Sequence, residues 1–379
     1  MRVVFWGTYD EGKPRVRILS RGLRATGTEI VEIHADIWSG IEDKGSIDGT
    51  GRKLWLLLRW LCAYPCLIWR YLRAPAHDAV MVNYLGHLDV LILWPFAKLR
   101  GVPVIWDAFI SLYDTVVEDR RIFGPRHPLA WLLFAWEWLA CRAARTIVLD
   151  TRAHAAYFAA TFGVSEDKLA SVFVGVEPES FPPSQGEGLS AGPLRVLFYG
   201  QFIPLHGIET IVRAAQAAYG DPIKWVLIGR GQEDAKIRAL IGEAPADIEW
   251  IDWVEFAELI SQIERADICL GIFGDTAKAA RVIPNKVFQV VSAGAPLITR
   301  DSPAIRELLS PDMPGVFLVP PADPEALLQA VRGFAAGPRP ARPLHGEIAL
   351  SISPKAIGEE LLALISNAAQ MRRVGAEPP

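Results

Sequence analysis

One pattern, met twice, constrains this chain most. Short apolar runs alternate with helix-length stretches, six runs on each side of a segment dense in Pro, Gly and Ser at residues 177–193. The first six are Arg2–Trp6, Glu29–His34, Ala79–Tyr84, Pro103–Trp106, Thr146–Leu149 and Ala170–Gly175. The second six are Arg195–Tyr199, Trp225–Ile228, Glu249–Ile251, Ile268–Ile272, Pro296–Thr299 and Gly315–Val319. Strand-like runs that alternate with helices belong to a parallel sheet with helices on both faces. The expected fold class is therefore α/β, with two Rossmann-like, doubly wound parallel-sheet domains. A length of 379 residues fits two domains better than one. The expected division is a first domain at 1–180, a linker at 181–193 and a second domain at 194–352. A final helix, at 353–379, is expected to return toward the first domain. Open sheets of this kind bind ligands at the carboxyl ends of their strands, which places an active site in the cleft between facing domains.

Composition closes off several functions. The formal charge is −4, from 39 Lys and Arg against 43 Asp and Glu, so the broad positive surface of a nucleic-acid binder is missing. The four cysteines, Cys62, Cys66, Cys141 and Cys269, lie scattered in apolar stretches and read as buried thiols of a reducing cytoplasm. Nothing at the amino end has the form of a signal peptide. No Asp-x-Asp pair occurs that would clamp a metal on a diphosphate, and no metal or cofactor is expected.

Between Arg52 and Arg73 the chain carries five basic residues, no acid and three tryptophans, Trp55, Trp60 and Trp69. At about 100° per residue, Arg52, Arg59, Arg70 and Arg73 form one basic stripe on an apolar helix, which Pro65 would kink. The segment is too short and too interrupted to span a bilayer. It suits the headgroup boundary, where arginines meet lipid phosphate and indoles sit at the interface. Ten of the 13 tryptophans fall in residues 1–138, including Trp131, Trp136 and Trp138 of a second greasy helix. The expected location is cytoplasmic, on the inner face of the cell membrane.

Each half opens on a strand, a glycine turn and a helix: Gly7 to Gly12 and Lys13 in the first, Gly200 and Gln201 to His206 and Gly207 in the second. Such turns offer free N–H groups to an anion. A second constellation runs from Gly271 to Arg300, with Lys278 and Arg281 before Pro284 and with Asn285, Lys286 and Gln289 after it. If Pro284 is the first helical residue, Lys286 stands in the first turn, where the helix dipole disfavours a cation unless an anion joins it. Lys278, Arg281 and Lys286 are thus candidates to hold a diphosphate, and Arg230, just past a strand, is a further one.

Here the sequence resembles the donor domain of family-4 glycosyltransferases, retaining enzymes with two facing Rossmann-like domains, the GT-B fold. The resemblance rests on the turn at Gly200, the pair Gly229 and Gly231, the run Ile248–Val254, Ala266-Asp267 before a strand, and Ser292-Ala293-Gly294-Ala295-Pro296 closing a helix. It is clearest over residues 195–310. It implies a nucleotide-sugar donor bound by Gly12, Lys13, Gly200, Gln201, His206, Gly207, Arg230, Val254, Lys278, Asn285 and Gln289. Two departures stand out: Gln201 and His206 replace the family's basic pair, and Arg281 and Gln289 replace its glutamate pair. Arg281, with Lys278 and Lys286 near it, returns positive charge to the same region. In the first domain His87 and Asp107 follow strands, and Asp107 occupies the place of a family histidine that touches the donor sugar. The expected catalytic set is Asp107, His87, Lys286 and Arg281.

The reading that follows is a retaining, metal-independent hexosyltransferase. Its donor would be a nucleotide-sugar, UDP-linked rather than GDP-linked, and its acceptor a lipid-linked or membrane-embedded molecule in glycolipid or cell-surface polysaccharide synthesis. Two alternatives stay open: a nucleotide-sugar epimerase of the same fold, or an inactive relative that partners the membrane surface.

Overall fold

The computed structural model describes residues 1–38, 50–184 and 192–375. They form two compact units, residues 1–175 with 354 onward, and Val176–Ser353.

The first unit holds six parallel strands in the order β2-β1-β3-β4-β5-β6. They are β1 (Arg2–Gly7), β2 (Glu29–His34), β3 (Ala79–Val82), β4 (Val104–Asp107), β5 (Thr146–Leu149) and β6 (Leu169–Ser171). Successive side chains on a strand point to opposite faces, and the core divides accordingly. Val4, Trp6, Val80, Val82 and Trp106 face one layer of helices, made of α2 (Thr50–Leu72), α3 (His87–Leu99), α4 (Pro128–Ala143) and α5 (Arg152–Phe162). Val3, Phe5, Met81 and Ile105 face the other, made of α1 (Pro14–Ala25) and the last helix, α13 (Pro354–Gly375). Helices α1 and α13 cross at two glycines, where a Cβ on Gly358 would lie 2.1 Å from the carbonyl carbon of Gly22.

The second unit repeats the plan with β7 (Leu194–Tyr199), β8 (Ile223–Ile228), β9 (Ile248–Ile251), β10 (Ile268–Leu270), β11 (Leu297–Arg300) and β12 (Val316–Val319). All six are parallel, in the order β12-β11-β10-β7-β8-β9. Its helices are α6 (Ile208–Ala217), α7 (Asp234–Ile241), α8 (Phe256–Arg265), α9 (Ala277–Arg281), α10 (Asn285–Ser292), α11 (Pro324–Ala336) and α12 (Gly346–Ser351).

All twelve expected strands are present, with ends displaced by a few residues. Helix α2 contains Pro65 within its length. Three details differ from the sequence reading. Pro284 is extended at φ −70° and ψ 148° and precedes α10 rather than starting it. Cys62 and Cys66 are exposed, and only Cys141 and Cys269 are buried. Half of the arginine stripe is turned to the protein itself, because Arg59 donates to the carbonyl of Asp36 at 2.6 Å and Arg70 to those of His34 and Glu32 at 3.0 and 3.2 Å. Part of the expected linker, 185–191, lies outside the described residues.

Candidate functional site

Strand β7 lies between β10 and β8, so the sheet's winding reverses beside it. The carboxyl end of such a strand is where an open α/β sheet leaves a crevice. Here β7 runs into Gly200 at φ +138°, and β8 into Gly229 at the same φ. A Cβ on Gly229 would stand 1.9 Å from the Gly200 carbonyl oxygen, so the two strand ends meet main chain to main chain and only glycine fits.

Into this turn reaches Lys286, the second residue of α10. It is 5% exposed. Its Nζ stands 3.6 Å from the centre of the Phe198 ring, and among the described residues no hydrogen-bond acceptor reaches it. A Cβ on Gly200 would come 2.9 Å from that nitrogen, so the glycine also makes room for the lysine. Burial alone pulls the Lys286 pKa well below the ordinary lysine range, with no carboxylate pulling back. His206, in the 3₁₀ turn Pro204–His206, flanks the same glycine, and its Cε1 would lie 3.3 Å from a Cβ there. Its Nδ1 is hydrogen-bonded to the carbonyl of Gln201. Burial first, and then the charge of Lys286, depress the His206 pKa well below its ordinary value.

Two groups that can carry positive charge thus share one desolvated turn. Leaving a buried polar group unpaired costs about 1–3 kcal/mol, and more if it is charged. A multiply charged oxyanion would relieve that cost, since charge-assisted bonds are the strong ones. Helix α9, which carries the half-buried Lys278 and Arg281, packs against the 3₁₀ turn.

The other expected donor residues of this unit are more spread out. Asn285 is exposed in the first turn of α10, and Gln289, one turn on, is half-buried. Gln201 and Arg230 are exposed in the turns after β7 and β8. Gly207, at φ +65°, allows α6 to start against the 271–275 loop, since a Cβ there would be 2.4 Å from the Gly274 nitrogen. Val254 follows the edge strand β9, two strands from Gly200.

Sequence reasoning passed over Arg300, at the end of β11. It is buried, its guanidinium donates to the Gly274 carbonyl, and its N–H donates to Ile272 at 2.8 Å. The loop so pinned presents Phe273 N–H to the His206 carbonyl at 3.0 Å, which makes Arg300 a positioning residue for His206. An arginine closing an otherwise apolar strand was the only signal in the letters.

In the first unit the expected residues are engaged within the fold. Asp107 is fully buried and bound bidentately by Arg15, with Nη2 at 2.7 Å and Nε at 2.8 Å from Oδ1. Both carboxylate oxygens meet the guanidinium inside the sheet. His87 is buried at the start of α3, with Nε2 3.4 Å from Glu137 and its ring edge-on to Trp106. The first glycine turn is likewise filled. Asp89 accepts from the Thr8 N–H at 2.7 Å and from the Tyr64 hydroxyl at 2.6 Å. Gly12 donates to Asp10 at 3.0 Å, and Lys13 lies 3.8 Å from the same carboxylate. Among the described residues, no group of three or more His, Cys, Asp and Glu side chains could hold a metal ion.

Residues 193–336 match the family described as glycosyl transferases group 1. Comparison with curated proteins finds no match. Solved structures match over nearly the whole chain at low identity. Sucrose-phosphate synthase from Thermosynechococcus elongatus is 16% identical with a TM-score of 0.71, covering 98% of this chain and 100% of that one. HepE from Anabaena, in complex with UDP, is 10% identical with a TM-score of 0.67, covering 97% and 100%. The lipopolysaccharide outer core galactosyltransferase WaaB is 15% identical with a TM-score of 0.63, covering 98% and 100%. The chain therefore has the two-domain GT-B fold, and the match to glycosyl transferases group 1 falls within its second unit.

Proposed function

We propose that the chain is a retaining, metal-independent glycosyltransferase. Its donor is a nucleoside-diphosphate sugar, UDP-linked in preference to GDP-linked, and its acceptor a lipid-linked or membrane-embedded molecule in glycolipid or cell-surface polysaccharide synthesis. The observation that carries the reading is the buried amino group of Lys286 beneath Gly200, which meets no hydrogen-bond acceptor among the described residues, with His206 beside it. The resemblance to a UDP-bound structure favours the uracil nucleotide.

In the reaction the bond between the sugar's anomeric carbon and the diphosphate oxygen breaks, and the diphosphate leaves with the electron pair. The acceptor hydroxyl forms the new bond on the same face and gives its proton to the departing phosphate oxygen. The charge gathering on the diphosphate is met by Lys286 and His206, with Arg281 and Lys278 on the neighbouring helix. Preorganised cations in a dry site stabilise such charge without reorganising at the moment of reaction. Gln289 can hydrogen-bond a ribose hydroxyl.

Two measurements test the reading. A ligand at 100 times its Kd should add about 2.7 kcal/mol to stability, so UDP should raise the melting temperature and GDP less. If no nucleoside diphosphate does so, the transferase reading fails in favour of an inactive relative. Lys286→Ala and Arg281→Ala should each cost about 2.7–4 kcal/mol in turnover, roughly 10²–10³-fold. Near-normal rates in both would remove these cations from the mechanism.

A further inference from the structure

The layer of α2, α3 and α4 turns an apolar face away from the sheet. Tyr64, Leu67, Val90, Leu93 and Ala140 bury the inner sides of these helices. Their outer sides leave Leu58 53%, Leu61 47%, Trp131 68% and Leu132 61% exposed. Helix α3 packs against both α2 and α4, so these side chains stand on one layer. Exposed apolar surface gathered on one side of a protein marks an interaction site.

Charge on the same helices is one-sided. The only acids on them, Asp89 and Glu137, are buried, while Arg52, Arg73 and Lys98 are exposed, as are Arg59 and Arg142, which each also donate to backbone carbonyls of the fold. Four exposed tryptophans each have a cation four residues later stacked over the ring. Arg59 lies over Trp55 at 5.4 Å on α2, and Arg73, just past its end, over Trp69 at 4.0 Å. Lys98 lies over Trp94 at 5.3 Å on α3, and Arg142 over Trp138 at 4.5 Å on α4. Indole rings prefer the depth where hydrocarbon gives way to headgroups, and long cationic side chains reach from there toward phosphate.

We propose that this three-helix face is a docking surface for an anionic lipid bilayer, with its leucines in the acyl boundary and its tryptophan–cation pairs at headgroup level. Charge selects this occupant over a second copy of the chain, because two such faces brought together would oppose like charges. Among the described residues no helix is long and apolar enough to cross a membrane, so attachment at this face would be interfacial. The proposal deepens the lipid-acceptor reading and rests on it for its biological sense, but its test needs neither donor nor acceptor.

Full-length protein is floated with phosphatidylcholine vesicles, with and without phosphatidylglycerol, and partition is read by Trp emission and gel. Strong binding to the anionic vesicles is expected, with a blue-shifted emission and weak binding to phosphatidylcholine alone. Leu58→Glu with Leu132→Glu, both at exposed positions, should cut anionic-vesicle binding roughly tenfold or more while leaving the melting temperature and its response to UDP unchanged. Arg73→Gln with Arg142→Gln should reduce the difference between the two vesicle types. Protein that stays in the aqueous fraction with both vesicle types overturns the proposal. So does a lipid-free dimer that the leucine variant dissolves. A protein that binds vesicles but no nucleoside diphosphate would sink the transferase reading and leave this one standing.

Discussion

At Lys286 the fold keeps an amino group out of water beside a second ionisable ring, and this ties ligand binding to protons. Because burial lowers the Lys286 pKa, the neutral form gains weight in the empty site, and an arriving diphosphate restores the charge. Binding should therefore take up protons, and affinity should weaken as pH rises through the pKa of the free site. His206, also depressed, pushes the same way at lower pH. Calorimetric titration with UDP in buffers of different ionisation enthalpy would count the protons, and a count of zero would contradict the site as drawn. The stability sign follows from the same linkage. A base whose folded pKa lies below its unfolded one penalises the fold in full below the folded pKa, and the penalty fades as pH rises toward the ordinary lysine range. Lys286→Met should thus stabilise the ligand-free protein near neutrality by about 1–3 kcal/mol and abolish its response to UDP. Sequence pointed to Lys286 because a cation opening a helix needs a reason. It could not show that the side chain folds back beneath Gly200, nor that Asp107 has a partner in Arg15, 92 residues away.

Strands were the most legible elements, because parallel strands buried on both faces are apolar from end to end and need no partner to be recognised. Helix surfaces were harder, since which side of a helix meets water depends on its neighbours. The spacing that pairs Trp55 with Arg59 and Trp138 with Arg142 is plain in the sequence. It gains meaning only once α2, α3 and α4 share one layer. The cysteines make the same point: scattered among apolar residues they read as buried, yet α2 turns Cys62 and Cys66 outward. Two thiols of the native protein should therefore react quickly with a disulfide reagent. Cys141 and Cys269 should react only on unfolding, since both are buried and burial pushes the Cys269 thiol up to about 12. Four fast thiols, or none, would contradict this placement of α2.

On the scale of the whole molecule, the chain leaves the first unit at residue 175 and returns to it at 354. The returning helix is part of that unit's core. Ile357, Leu361 and Ile365 are buried against Val16, Leu19 and Leu23, and each such burial is worth roughly 1.5–3 kcal/mol. Removing residues 354–379 should lower the melting transition of the first unit by many degrees and leave that of the second in place, as followed by calorimetry. Equal loss in both transitions would mean that α13 supports more than α1 and the first sheet. The same return path sets an order of birth on the ribosome. Residues 176–353 emerge as one unbroken stretch and can close their own core, whereas the unit begun first must wait, with the inner side of α1 bare, until the last helix leaves the exit tunnel. The half begun first is completed last.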